Sequence, residues 1–232
     1  MAVPHRPDPS FSVEGLLAES GWFPLLSATS QRLVRGAVRE VAVGAGEAVS
    51  HQGELPHAWC GVLEGLIKLS SVNAEGRAVT FTGLAPGAWF GEATLLRDAP
   101  FSVDAVALRP SRVVRLPAEV FFHLLRTDFP FSRYIMTLLS ERLHWFMGHS
   151  HHRANESHAR VTRAVLGLFQ PAACVSKLTE LRISQEELAN IAGVSRQSCN
   201  SALKRLCDER LLEIDYGIMR LLDADGLRRL VD

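Results

Sequence analysis

Residues 183–206 constrain this chain more than any other stretch, because they spell two short helices around a glycine turn. Ser184-Gln185-Glu186-Glu187 is a capping box, in which the serine oxygen accepts the Glu187 amide and the glutamate carboxylate accepts the serine amide. Ile183 and Leu188 flank it at hydrophobic-staple spacing. Gly193 supplies the left-handed residue that ends the first helix. Ser195 then caps a second helix, where Cys199, Ala202, Leu203 and Leu206 fall at i, i+3, i+4 and i+7 and form one buried stripe. Its other face carries Arg196, Gln197, Asn200, Ser201, Lys204 and Arg205, with no acidic residue among them. A small helix anchored on one side and rich in amide and guanidinium groups on the other suits the DNA major groove.

An ordinary helical hairpin would show the same caps and stripe, so the residues that follow decide the matter. Leu212-Glu213-Ile214-Asp215 alternates like a half-buried strand, Tyr216-Gly217 is a two-residue turn, and residues 218–222 return as a second strand. A β-hairpin directly after such a helix is a wing. The pattern implies a winged helix-turn-helix and double-stranded DNA as the partner. Lys204, Arg205 and the wing around Tyr216 and Arg220 are expected to meet phosphates.

The formal net charge is zero, so no global basic field drives nucleic-acid binding, and recognition falls to one local surface. No apolar run approaches the length of a membrane span. Residues 1–12 contain prolines and charges but no apolar signal core, so a cytoplasmic location is expected. Cys60, Cys174, Cys199 and Cys207 show no C-x-x-C spacing, which argues for reduced thiols and against a zinc or iron–sulfur site.

At 47% hydrophobic, 232 residues can build a substantial core. Residues 13–38 suggest short helices. Beyond them lie short β-prone runs separated by glycines, at 41–43, 58–63, 66–72, 78–83, 103–107 and 113–116, with a hairpin connection at Asn73-Ala74-Glu75-Gly76. Many short strands at this spacing predict a sandwich or a small roll, such as a jelly roll. After Asp128-Phe129-Pro130 a helix is expected to run to about His152. Met136, Leu139, Leu143 and Phe146 form a coiled-coil seam along it, flanked by a second apolar stripe of Ile135, Leu138 and Trp145. One stripe suits the roll and the other a partner helix, which predicts a homodimer. The fold class is therefore α+β, with a sensor roll at 14–128, a dimerisation helix at 129–153 and a winged helix-turn-helix at 154–232.

This order resembles the CRP/FNR (cyclic AMP receptor protein) family of bacterial transcription regulators. The resemblance rests on Gly44-Ala45-Gly46-Glu47, His51-Gln52-Gly53, Gly61-Val62-Leu63-Glu64-Gly65, Phe90-Gly91-Glu92-Ala93, residues 193–197 and residues 203–206. It implies a double-stranded β-helix sensor and a sequence-specific regulator acting on an inverted repeat with RNA polymerase, an activator by family habit. By the same resemblance the base-reading positions fall on Arg196, Gln197 and Ser201. Arginine and glutamine suit guanine and adenine edges, whereas Ser201 stands where studied members carry a longer reader.

The resemblance also locates a sensor pocket. Gly91, Glu92 and Ala93 open a helical turn whose amides could cradle an anion. Members that bind cyclic AMP follow this turn with an Arg-Ser pair; here the pair aligns with Phe101-Ser102, and the phosphate clamp is missing. The long helix of those members presents hydroxyl residues to the base, where this chain aligns Phe146 and Met147. Neither cyclic AMP nor any other cofactor is expected, and a self-filled pocket or a more apolar ligand is. Residues 1–53 lack the cysteines of the family's iron–sulfur sensors. Haem is not expected from His57, nor metal from His144, His149, His151, His152 and His158. The rival jelly-roll metalloenzyme would need a His-x-His pair on its strands, and the candidate strands carry none, so no catalytic residues are assigned.

Overall fold

The computed structural model describes residues 12–72, 78–150, 157–169 and 179–231, with the backbone alone at 78 and 145–150. The chain opens with α1 (Val13–Glu19), a 3-10 turn at Phe23–Leu25 and α2 (Ala28–Ala37). Serine caps start both helices, Ser12 accepting the Gly15 amide and Ser27 the Ser30 amide. The roll follows as β1 (Arg39–Val43), β2 (Ala48–Ser50), β3 (Ala58–Glu64), β4 (Ile67–Val72), β5 (Ala78–Leu84), β6 (Trp89–Phe90), α3 (Glu92–Arg97), β7 (Asp104–Ala107) and β8 (Ser111–Pro117). Its two antiparallel sheets have the orders β1-β8-β3-β6 and β2-β7-β4-β5.

Val43, Val62, Ile67, Phe90 and Val113 belong to the buried cluster of the roll's strands. A second cluster joins Trp22, Trp59, Trp89, Phe121 and Phe131, all essentially inaccessible. Their rings meet tilted or edge to face, from 4.6 Å between Trp59 and Trp89 to 5.7 Å between Trp59 and Phe131. This stack holds α4 (Ala118–Thr127) and the first turns of α5 (Phe129–Ser150) against the roll. Asp128 starts α5: its Oδ1 accepts the Phe131 amide and its Oδ2 the Ser27 amide, tying the helix back to α2.

The C-terminal half comprises α6 (Ser157–Phe169), β9 (Glu180–Arg182), α7 (Gln185–Ala192), α8 (Arg196–Asp208), β10 (Leu212–Asp215), β11 (Ile218–Leu221) and α9 (Ala224–Arg229). Its three strands pair in the order β10-β11-β9.

The expected strands are present with ends shifted by at most two residues. The short β2 and β6 and the early strand β9 had no periodic signal of their own. Helix α4 was also not anticipated, although Phe121 and Leu124 anchor it. The Asn73–Gly76 connection lies outside the described residues, but β4 and β5 pair antiparallel with Val72 opposite Ala78, as a hairpin there requires. Helix α5 includes Pro130, which its first turn tolerates because that N–H has no intrahelical acceptor.

A Cβ added at Gly61 would stand 2.8 Å from the Trp89 ring. Gly61→Ala should therefore destabilise the protein by about 1–3 kcal/mol, as overpacking of a rigid core does. Gly36→Ala, in α2 with nothing within 4 Å of the added carbon, should stabilise by up to about 1 kcal/mol. Urea unfolding followed by tryptophan fluorescence measures both.

Candidate DNA interface and sensor pocket

The helix-turn-helix is built by its caps. The Ser184 amide donates to Glu187 Oε2 at 2.7 Å and the Glu187 amide to Ser184 Oγ at 3.1 Å, completing the capping box. Gly193 ends α7 at φ +60, and the Arg160 guanidinium of α6 lies over it, 2.3 Å from where a Cβ would stand. Ser195 caps α8 by accepting the Ser198 amide at 3.1 Å. Cys199, Ala202, Leu203 and Leu206 are buried, as the stripe requires. Tyr216 and Gly217 both have positive φ, at 46° and 79°, the two-residue turn that matches strand twist in a tight hairpin.

Arg196, Gln197, Ser201 and Lys204 are exposed on one side of α8, and Arg196 and Lys204 have no partner among the described residues. Ser195 lies at the exposed start of the helix. Arg205 is also exposed, but its Nε donates to Glu209 at 2.9 Å. Asn200 is half-buried, and its Oδ1 is a buried atom without a hydrogen bond. On the wing Tyr216 is exposed, whereas Arg220 bridges Glu180 and Glu213, which hold its guanidinium further above its ordinary pKa. A single-sequence pattern places residues on a helix face but does not reveal acids arriving from another strand.

At the place where the resemblance sets the sensor pocket, Glu92 is 0% exposed. Gly91 precedes it at φ +99, a left-handed start to α3. Trp59 Nε1 donates to Glu92 Oε2 at 3.2 Å, and Arg142 of α5 donates through Nη1 to Glu92 Oε1. Arg142 Nη2 also donates to the Trp89 carbonyl at 2.6 Å. Phe101 is half-buried, with a ring carbon 3.9 Å from where a Gly91 Cβ would stand, while Ala93 and Ser102 are exposed. The side chains of Phe146 and Met147 lie outside the described residues, as do those of His149, His151, His152 and Cys174. Sequence reasoning missed Arg142 and Trp59. A signal existed for the arginine: Ile135 and Leu138 form a buried stripe whose next helical position, i+7 from Ile135, is Arg142.

On the other side of α5, Met136 and Leu143 are 58% and 57% exposed, and Leu139 is half-buried. The helix thus spends one apolar stripe on its own roll and leaves part of the other uncovered in the single chain.

A roll followed by a long helix and a winged helix-turn-helix defines a ligand-sensor-like domain coupled to a DNA-binding domain. The cyclic nucleotide-binding domain model matches residues 40–128 and the Crp-like helix-turn-helix domain model residues 159–230. The chain belongs to the CRP/FNR family of DNA-binding transcription regulators. A protein of Thermus thermophilus named cyclic AMP receptor protein is 28% identical over 77% of this chain and 82% of its own. The HTH-type transcriptional regulator Cmr of Mycobacterium tuberculosis is 27% identical over 82% of this chain and 75% of its own. FixK2 from Bradyrhizobium japonicum has the same fold, with a TM-score of 0.64 at 15% identity over 84% of this chain and 98% of that one. No helix among the described residues is long and apolar enough to cross a membrane.

Burial pushes the Cys199 thiol up from 9.0 to about 11, and it does the same to Cys60 in the roll. A raised folded-state pKa contributes stability that is complete below the unfolded value and is lost as pH rises through the folded one. The urea midpoint should therefore fall between pH 9 and pH 11, and fall less steeply in Cys199→Ala; equal slopes would show that the thiol is accessible.

Proposed function

We propose that this regulator acts as a homodimer joined through the Met136, Leu139, Leu143 and Phe146 face of α5 and reads an inverted repeat with its two α8 helices, without needing cyclic AMP. The observation that carries the reading is the first turn of α8, where Arg196 and Gln197 are exposed beside a fully buried anchoring stripe. Arg196 has the fork to take guanine O6 and N7, and Gln197 the amide to take adenine N6 and N7. Ser201 adds weak discrimination, and Ser195, Asn200, Lys204 and Arg205 complete the DNA-facing set. A two-fold axis is what brings two such helices to one-turn spacing, and exposed Met136 and Leu143 supply its apolar seam. The family pattern adds contact with RNA polymerase, a cytoplasmic site of action and no catalytic role.

Independence from cyclic AMP is supported by the pocket. Both Glu92 oxygens already accept hydrogen bonds from Trp59 and Arg142. Phe101, aligned with the missing phosphate clamp, offers a phosphate no positive charge, and an unpaired buried anion costs several kcal/mol. A second reading, cyclic-nucleotide control, draws support from Arg142, a cation in contact with Glu92 whose side chain is 33% exposed. No metal, haem or iron–sulfur cluster is assigned.

Arg196→Ala should weaken specific binding by roughly 1–3 kcal/mol and relax the preference at one base pair of each half-site; an unchanged sequence logo after selection from random DNA would overturn the assignment. Titrating the nucleotide-free protein with cyclic AMP in a calorimeter should give no heat at millimolar ligand. Saturable micromolar binding would replace the effector-free reading with the second one.

A further inference from the structure

The helix-turn-helix is docked on the sensor roll of its own chain. Gly83 of β5 lies so close to it that an added Cβ would stand 2.6 Å from Ile191 Cδ1 and 2.9 Å from Leu168 Cδ2. Thr80 Oγ1 of the same strand donates to the Asn190 carbonyl at 3.2 Å. Leu66 and Ala85 of the roll are buried in the cluster that holds Val165 and Leu188 of the DNA-binding half. From the loop between β7 and β8, Arg109 Nη2 donates to the Arg182 carbonyl on β9 at 2.8 Å and to the Gly65 carbonyl at 3.4 Å. Its Nε lies 3.6 Å from Glu187 Oε1, on the carboxylate that closes the capping box of α7.

We infer that Arg109 is a positioning residue for DNA recognition: it pins β9 and the start of α7 to the roll, and so fixes the angle at which α8 leaves the body of the molecule. The inference rests on the proposed reading of an inverted repeat by a dimer. The contact does not cover the reader, since Arg196, Gln197, Ser201 and Lys204 all remain exposed. Its effect is therefore on orientation. Two reading helices held at a set separation engage a repeat as one unit; when one is loosened, the second half-site is met at a lower effective concentration. A single half-site, read by one helix, is indifferent to that separation. Arginine suits the task because one planar fork reaches the carbonyls of Arg182 and Gly65 while facing the Glu187 carboxylate.

The test uses the full-length chain carrying Arg109→Ala or, separately, Gly83→Ala, which wedges the same contact from β5 without touching a charge. Gly83 is not in the left-handed region, so alanine imposes no backbone strain there. Binding is measured by fluorescence anisotropy to the selected inverted repeat, to an isolated half-site, and to repeats lengthened by one and two base pairs. Arg109→Ala should bind the inverted repeat about tenfold more weakly, the size of one lost charge-assisted hydrogen bond, and Gly83→Ala should weaken it in the same direction. Half-site binding should stay within about twofold, and the preference for one spacing should flatten. Arg109→Lys should recover only part of the loss, because an ammonium lacks the fork. Equal losses on repeat and half-site would show a fold defect or a direct DNA contact and overturn the inference, as would unchanged or tighter binding to the repeat. If the wild-type protein itself gains nothing from the second half-site, the dimeric reading fails first and the inference falls with it.

Discussion

A carboxylate shut away from water must be answered by donors or give up its charge. Glu92 is answered from two directions, by the indole of Trp59 on β3 and by the guanidinium of Arg142 on α5. The second bond ties α5 to the roll, because Arg142 also donates to the Trp89 carbonyl at 2.6 Å. With Arg142 held, and with Phe131, Ile135 and Leu138 buried beside the tryptophans, the helix has one permitted rotation about its axis. That rotation turns Met136 and Leu143 outward. The Glu92 contact and the outward apolar stripe are thus two sides of one helix.

The DNA-binding half was largely legible in the sequence because its signals are local. A capping box, a left-handed glycine, a serine cap and a two-residue turn each act within a few residues, and every one of them is present at Ser184, Gly193, Ser195 and Tyr216-Gly217. The roll was legible as a texture of short strands but less so at its margins. β2 and β6 are only two or three residues long, too short to show an alternation, and the same holds for β9 in the DNA-binding half. The pocket was half legible. Gly91, Glu92 and Phe101 could be placed by alignment, but their partners come from 33 and 50 residues away, and nothing at Trp59 or Arg142 announces that separation. Arg220 makes the same point, since its two acids reach it through strand pairing.

Electrostatics follow a similar division. The chain has zero formal net charge, yet acids are kept off the exposed face of α8 and gathered on the wing strands and the end of the helix, where Arg220 and Arg205 meet them. Arg196 and Lys204, without a partner among the described residues, stand on the reading face. Such an arrangement favours local recognition over long-range attraction, because a neutral molecule gathers little DNA by its overall field.

Strand β5 is the last strand of its sheet, and its sequence AVTFTGL holds neither a charge nor a proline. Val79 and Phe81 on it are exposed, the latter at 54%. An uncharged, apolar edge of this kind is a template for strand addition between molecules. In the whole chain α6 and α7 pack against this strand through Thr80 and Gly83. The DNA-binding half therefore covers Thr80 and Gly83 while Val79 and Phe81 stay open to water. A roll separated from α6 and α7 would also expose Thr80 and Gly83, so the surface of this sensor is partly finished by its neighbour.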